Sequence, residues 1–206
     1  PRDRVESEMH LFLEWFNQTL PHKVAPDALD GLTRAALAHF RFVTIHPFED
    51  GNGRLARAIT DMALAQAEKN GTRLYSLSAR IQQVREEYYQ ILERTQRGTN
   101  DITAWMVWFL RQIQAACAQA EQIVANVIAK ARFWQRHAQT DLNERQRKVL
   151  NRLLDAGDDF KGGMNTRKYV SLCKVSRATA YRELNDLVEK ECLQVKGAGR
   201  SVSYKI

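Results

Sequence analysis

Apolar residues recur at helical spacing along most of the chain. From Glu6 to Leu20, Met9, Leu11, Phe12, Trp15 and Phe16 fall three or four apart, which predicts an amphipathic helix. Pro21 and Pro26 bracket a connector. A second helix is expected from about Asp27 to Val43, with Leu29, Leu32, Ala36, Leu37 and Phe40 on one side. A glycine-containing loop over 46–53 follows. A third helix then runs through Arg54, Ala58, Met62 and Leu64 until Asn70-Gly71 stops it. Further helices are expected over about 78–96 and 101–137, with Asp101 or Asn100 as N-cap of the latter. No alternating strand pattern occurs before residue 190, so the first 140 residues read as an all-α domain.

The pattern changes after the polar segment Gln139-Thr140-Asp141. That segment is read as the boundary between a domain over 1–138 and a smaller one over 139–206. In the second, helices are expected over Glu144–Ala156, Asn165–Lys174 and 177–190. The tail from Leu193 to Ile206 alternates apolar and polar residues around Gly197-Ala198-Gly199, the signature of a β-hairpin. Three helices and a hairpin make a winged helix-turn-helix. The expected fold class is therefore mainly α: a helical bundle followed by a small winged-helix domain. No internal repeat or low-complexity tract is present.

Composition narrows the classes. With 44% hydrophobic and 27% charged residues among 206, the chain has an ordinary globular make-up. The longest apolar stretch, Thr103 to Leu110, falls far short of the roughly 20 residues that span a bilayer. There is no basic-then-apolar leader, and the chain opens on Pro1 rather than Met, which suggests a fragment or processed piece. Cys117, Cys173 and Cys192 are odd in number and share no metal spacing, so they read as reduced, buried thiols of a cytoplasmic protein. Net charge is +7 but uneven: residues 141–206 hold 14 Lys+Arg against 9 Asp+Glu, the rest 17 against 15. The basic excess lies in the last third and hints at an acidic partner there, such as DNA.

The run His46-Pro47-Phe48-Glu49-Asp50-Gly51-Asn52-Gly53-Arg54-Leu55-Ala56-Arg57 concentrates chemistry. Gly51, Asn52 and Gly53 all tolerate positive φ, so the stretch can aim successive N–H groups into one anion-binding concavity. The helix that follows adds its N-terminal partial charge. Arg54 and Arg57 lie three apart on one face and suit a polyphosphate. Asp50 would repel phosphate unless a cation bridges the two, and Mg²⁺ held by one carboxylate and phosphate oxygens resolves the conflict. His46 carries an imidazole, a group able to take a proton from an attacking hydroxyl. A Gly-Asn-Gly loop alone would read as a plain turn; the joint occurrence of all these groups points to a phosphate site with a built-in base.

This run resembles the signature of Fic-domain proteins at every defining position. Ala35-Ala36-Leu37-Ala38-His39-Phe40 with Thr44-Ile45 is similar to the helix leading into that signature. Arg85-Glu86-Glu87-Tyr88-Tyr89 and Gly98 resemble the helix downstream, so residues 1 to about 120 look like the later part of a Fic domain. The resemblance implies a Mg²⁺-dependent protein adenylyltransferase, which moves AMP from ATP to a Ser, Thr or Tyr hydroxyl of a target protein. It assigns His46 as the base, Asp50 to Mg²⁺, and Gly51, Asn52 and Gly53 to the phosphate cradle. Arg54 would clamp the β-phosphate and Arg57 meet the γ-phosphate. Phe48 would pack into the core and fix the loop. Tyr88 and Tyr89 would line the nucleoside pocket, although one core and one surface tyrosine fit the spacing equally. Gln96 occupies a position where related members place a polar residue, often Asn, beside adenosine. Many Fic proteins also carry an inhibitory helix, Ser/Thr-x-x-x-Glu-Gly/Asn, whose glutamate pairs with the second arginine. No match occurs in residues 1–45 or at the C-terminus, so such a brake and the target-docking flap are expected upstream of Pro1.

The small C-terminal domain resembles winged helices that follow the Fic domain in many bacterial members. Arg177, Thr179, Tyr181 and Arg182 open its third helix, the end that enters a major groove. Lys196 and Arg200 on the hairpin could reach phosphates. Protein docking or homodimer formation is the competing use of such a module. Trp105, Trp108 and Phe109 read as core, and His10, His22, His39 and His137 have no evident role. Two other functions remain open: a nucleotide-sensing transcriptional regulator, and a Fic enzyme that removes AMP or performs another phosphotransfer.

Overall fold

The computed structural model describes residues 4–20, 29–68, 73–157, 160–197 and 202–206. Over these residues the chain is mainly helical. Nine helices form: α1 (Val5–Gln18), α2 (Gly31–Ile45), α3 (Asn52–Glu68), α4 (Leu77–Gln83), α5 (Arg85–Gln96), α6 (Thr103–Arg136), α7 (Glu144–Ala156), α8 (Thr166–Cys173) and α9 (Arg177–Glu189). Two short strands, β1 (Gln194–Lys196) and β2 (Ser203–Lys205), pair antiparallel with Val195 opposite Tyr204. No helix of the described residues is long and apolar enough to cross a membrane.

Two compact units form, Pro1–Glu121 and Gln122–Ile206. They divide inside α6, upstream of the polar segment 139–141. The cause is packing: Phe133 of α6 joins the second unit's core, Trp134 Nε1 donates to Asn151 of α7, and Lys130 pairs with Asp155.

In the first unit α2 and α3 form the central pair. Asp30 caps α2 by accepting the N–H groups of Leu32 (3.0 Å) and Thr33 (2.9 Å). Beyond it Ala35, Ala36, Ala38, Phe40 and Phe42 are buried, facing Ala56, Ala63 and Leu64 of α3 and the rings of Phe12 and Phe16 of α1. Small side chains let the backbones approach. At the start of α2 they come so close that a Cβ on Gly31 would lie 2.2 Å from the Cβ of Ala67. Arg34, fully buried, ties three helices together. Its guanidinium donates to the Phe16 carbonyl (2.7 Å) near the end of α1, to Thr19 Oγ1 (3.1 Å) and to Gln66 Oε1 (2.9 Å) of α3, and lies over the Phe16 ring. Trp105, also fully buried, donates its indole N–H to the Ala36 carbonyl and so fastens α6 to α2.

The periodicity identified these helices but not all of their faces. Leu11, Leu32 and Met62 are 52%, 40% and 46% exposed, because Phe12, Phe16, Ala36 and Leu64 already fill the core side. The expected helix over 78–96 breaks at Val84, whose φ of −114° and ψ of 36° separate α4 from α5. Asp101 accepts the Thr103 N–H at 2.8 Å, as expected for the start of α6. Trp105 and Phe109 are core. Only Cys192 is buried; Cys117 and Cys173 are partly exposed, a correction to the reading of three buried thiols. The expected stop at Asn70-Gly71, the Pro21–Pro26 connector and the turn around Ala198-Gly199 lie outside the described residues.

In the second unit Asn143 and Gln146 form a capping box at the start of α7. Tyr169, Leu150, Leu184 and Leu187 pack at its centre. The Glu183 carboxylate joins α7, α8 and α9: Arg145 pairs with it, Asn143 donates to it at 3.1 Å, and the Tyr169 hydroxyl donates at 2.5 Å. The Arg145 partnership holds that carboxyl below the usual range. Met164 bridges to Tyr204, adding a β-bridge beside the hairpin.

The Gly31 contact yields a stability prediction. Gly31→Ala forces α2 and α3 apart and should destabilise the first unit by roughly 1–3 kcal/mol despite alanine's better helix propensity. A lower melting temperature by circular dichroism is expected; an equal or higher one contradicts the close-approach reading.

Candidate functional site

The loop between α2 and α3 is built by three local devices. His46 ends α2 in the left-handed conformation, with φ 52° and ψ 58°, and its N–H bonds the Phe42 carbonyl at 3.1 Å. A non-glycine residue there costs roughly 1–2 kcal/mol, strain of the kind that collects at functional sites. Pro47 cannot continue the helix. Gly51 then turns the chain at φ 84°.

The third device is Asn52, whose side chain is 3% exposed. It donates to the Phe48 carbonyl (2.6 Å) and accepts the Phe48 N–H (3.1 Å), closing the loop on itself. This corrects the expectation that the Phe48 ring fixes the loop by packing inside. That ring is 51% exposed, touching Phe42 at a centroid distance of 6.5 Å, and the carboxamide of Asn52 holds Phe48 by its backbone. The expected run of positive φ also contracts to Gly51 alone, because Asn52 and Gly53 already belong to α3. The first i→i−4 bond of α3 runs from Leu55 N–H to the Gly51 carbonyl. The N–H groups of Asn52, Gly53 and Arg54 precede it, which makes a helix N-terminus the anion-facing device.

Over this loop opens a cavity of about 780 Å³. The end of α2 supplies Val43, Thr44 and His46; the loop and α3 supply Glu49, Asp50, Gly51, Asn52, Gly53, Arg54 and Arg57; α5 supplies Tyr88, Tyr89, Leu92, Glu93 and Gln96. Every nucleotide-site residue expected from the sequence therefore lines one cavity. Arg54 and Asp50 lie 3.7 Å apart at the solvent edge, both largely exposed. A Cβ on Gly51 or Gly53 would point toward the guanidinium of Arg54 or Arg57, at 3.8 and 3.7 Å.

The α5 wall has its own supports. Gln96 Nε2 donates to Thr44 Oγ1 at 3.0 Å, linking α5 to α2. The Arg85 guanidinium lies over the Tyr89 ring at 5.5 Å, and Tyr89 is 54% exposed. Tyr88 is almost wholly buried, and its hydroxyl meets His39 Nε2 at 3.0 Å. Thus one tyrosine belongs to the core and one to the surface, yet both reach the cavity. Burial pushes the Tyr88 phenol up to about 12.

Reading the sequence missed Thr44, Glu49 and Glu93 as lining residues, and His39 behind the wall. Tyr89, Leu92, Glu93 and Gln96 recur at helical steps, so the α5 face was legible as one side of a helix. Nothing in the sequence marks His39. Among the described residues no group of three or more His, Cys, Asp or Glu is placed to hold a metal. In the second unit Arg177, Tyr181 and Arg182 are exposed and Thr179 half-buried at the start of α9; Arg200 lies outside the described residues.

A loop of this build, between a capped helix and an arginine-bearing helix, falls in the stretch that matches a known family: residues 1–64 match the Fic/DOC family model. The chain is 34% identical over 98 residues to the protein adenylyltransferase Fic of Nematostella vectensis, covering 48% of this chain and 20% of that protein. It is 41% identical over 64 residues to a uridine 5′-monophosphate transferase of Xanthomonas campestris pv. campestris (strain 8004), covering 31% and 12%. It is 45% identical over 40 residues to the protein adenylyltransferase fic-1 of Caenorhabditis briggsae, covering 19% and 8%. The aligned stretches thus cover 20% or less of each of these relatives.

The Asn52 clasp can be tested directly. Asn52→Ala removes both bonds to the Phe48 N–H and carbonyl, a loss of about 1–3 kcal/mol for two part-buried hydrogen bonds. Amide exchange at Phe48 should accelerate while exchange within α2 and the later turns of α3 stays slow. Unchanged protection at Phe48 argues against the clasp.

Proposed function

We propose that the chain transfers a nucleoside monophosphate, AMP from ATP, to a hydroxyl side chain of a target protein: the hydroxyl oxygen bonds to the α-phosphorus, the bond from that phosphorus to the oxygen of the β-phosphate breaks, and pyrophosphate leaves. The observation that carries this reading is the single cavity that sets His46, Asp50, the α3 N-terminus, Arg54 and Arg57 opposite the Tyr88–Gln96 wall. The names of its relatives, two of them protein adenylyltransferases, support it.

In this reading His46, exposed at the cavity rim, takes the proton of the attacking hydroxyl. Arg54 and Arg57 bind the outer phosphates, with the first N–H groups of α3 beside them. Asp50 fits a Mg²⁺ shared with phosphate: its carboxylate is open to solvent at the cavity edge, and a lone protein carboxylate suits an ion that keeps phosphate and water ligands. The ion would supply charge neutralisation between Asp50 and the nucleotide. Catalysis is then positioning and electrostatics, without covalent attachment to the protein.

The test uses ATP or UTP labelled on the α-phosphate, Mg²⁺ and a bacterial lysate. Label should pass from ATP to protein, and His46→Ala should lower transfer by about 10²–10⁴-fold while ATP binding persists. Transfer from UTP in preference to ATP, or undiminished labelling by the variant, overturns the assignment.

For residues 139–206 the proposal is a winged helix that binds DNA. The favouring observation is that Arg177, Tyr181 and Arg182 are exposed together on the first turns of α9, and no ion pair among the described residues engages either arginine. A mobility shift on duplex DNA should weaken steeply with salt. Arg177→Ala with Arg182→Ala should reduce the salt slope by about one for each of the two arginines that meets a phosphate. No shift at low salt refutes this use of the module.

A further inference from the structure

His39 is buried beneath the cavity and belongs to no step proposed above. It lies on α2, seven residues before His46, and its two ring nitrogens reach the other two helices of the site. Nδ1 lies 2.9 Å from Thr60 Oγ1 on α3, and Nε2 lies 3.0 Å from the Tyr88 hydroxyl on α5. Donor bookkeeping fixes the ring. The Thr60 hydroxyl donates its only proton to the Ala56 carbonyl at 2.8 Å, so toward His39 it can only accept. Nδ1 must therefore carry the proton. Nε2 is left with a lone pair, and the Tyr88 hydroxyl donates to it.

We infer that His39 is a positioning residue of the nucleotide site: as a neutral ring protonated on Nδ1, it holds Tyr88 as the cavity wall in register with α2 and α3. This rests on the proposed nucleotide-transfer function. The chain of donors runs one way, Tyr88 to His39 to Thr60 to Ala56, so each member has one arrangement. It links the helix that ends at His46, the helix that carries Arg54 and Arg57, and the helix that faces them. Trp105 packs on the His39 ring at a centroid distance of 5.3 Å and Phe109 at 6.1 Å, so the imidazole sits among aromatic rings. Arg57 and Tyr88 are the titratable groups that bear on it; burial first, and the Arg57 charge second, pull the imidazole down to about 3. A protonated ring would repel Arg57 and lose its bond from Tyr88. The Tyr88 hydroxyl is thereby turned into the core, leaving its ring to face the nucleotide.

Two substitutions separate this role from general packing. His39→Gln can keep an acceptor where Nε2 stood; His39→Asn can keep only a donor where Nδ1 stood. With the full chain, His39→Asn should raise the Kd and KM for Mg-ATP about tenfold while kcat stays near wild type, and His39→Gln should restore affinity to within about threefold. In a Tyr88→Phe background, His39→Asn should add no further loss of affinity, because the partner through which it acts is gone. Losses of affinity that match for Asn and Gln, follow melting temperature, and add to Tyr88→Phe overturn the inference. ¹⁵N spectra of the histidine rings give a readout without nucleotide: His39 should show a proton on Nδ1 and no titration from pH 5 to 8. A ring protonated on Nε2, or titrating in that range, overturns it. A wild-type chain that binds neither ATP nor UTP refutes the nucleotide function, and with it the His39 role; intact spectra in that case assign the failure to the function and not to the relay.

Discussion

The candidate site depends on how closely α2 and α3 approach. Gly31 against Ala67 at one end, and alanines along the facing sides, bring the two backbones together. That closeness sets the separation of Ile45 and Asn52, and the loop between them has no slack. Burying small residues gives up some hydrophobic gain, because each alanine removes less apolar surface from water than leucine would. Arg34 and Trp105 offset that loss with bonds that only a closely packed pair can satisfy.

Much of this was legible in the sequence, and the failures have physical causes. Helices α1, α2, α3 and α6 follow apolar periodicity, and α7 fills the span Glu144–Ala156 expected of it. The break at Val84 was not legible, since valine is an unremarkable helix residue and no glycine or proline marks the spot. The phosphate loop was legible as a set of residues, but its internal mechanics were read wrongly. A phenylalanine in a motif invites the assumption of a buried anchor. The anchor is Asn52, a residue whose polarity suggested contact with ligand. A carboxamide both donates and accepts, so it can close on one residue's N–H and carbonyl together, which an aromatic ring cannot.

His39 shows the other limit. Its position on α2 follows from periodicity, but its partners lie 21 and 49 residues away in the chain. Nothing local distinguishes a buried, neutral histidine from an exposed one. The same holds for Glu183, whose carboxylate joins α7, α8 and α9 through Arg145, Asn143 and Tyr169. Each unit thus sets buried polar residues at helix junctions, Arg34 and His39 in the first and Glu183 in the second, with hydrogen-bonding partners distant in sequence. Such residues are costly when left unpaired, so they favour the native junction over alternatives of similar hydrophobicity.

The family match and the geometry divide the cavity in the same place. The match ends at residue 64, within α3, and so includes His46, Asp50, Arg54 and Arg57. The family model stops before the α5 wall, where Tyr88, Tyr89, Glu93 and Gln96 stand, while the 98-residue likeness to the Nematostella vectensis protein is too long to end there. Phosphates are alike in every nucleotide, and in the proposed function the half that the family model covers is the one that meets them. Bases differ in their hydrogen-bonding edges, and in the same proposal the α5 wall carries groups able to meet those edges: the Glu93 carboxylate, which when ionised only accepts, and the Gln96 carboxamide, already committed on one side to Thr44. Under the proposed nucleotide transfer, the choice of base would fall to α5, and substitutions there should change which nucleotide is used without disturbing the phosphate end.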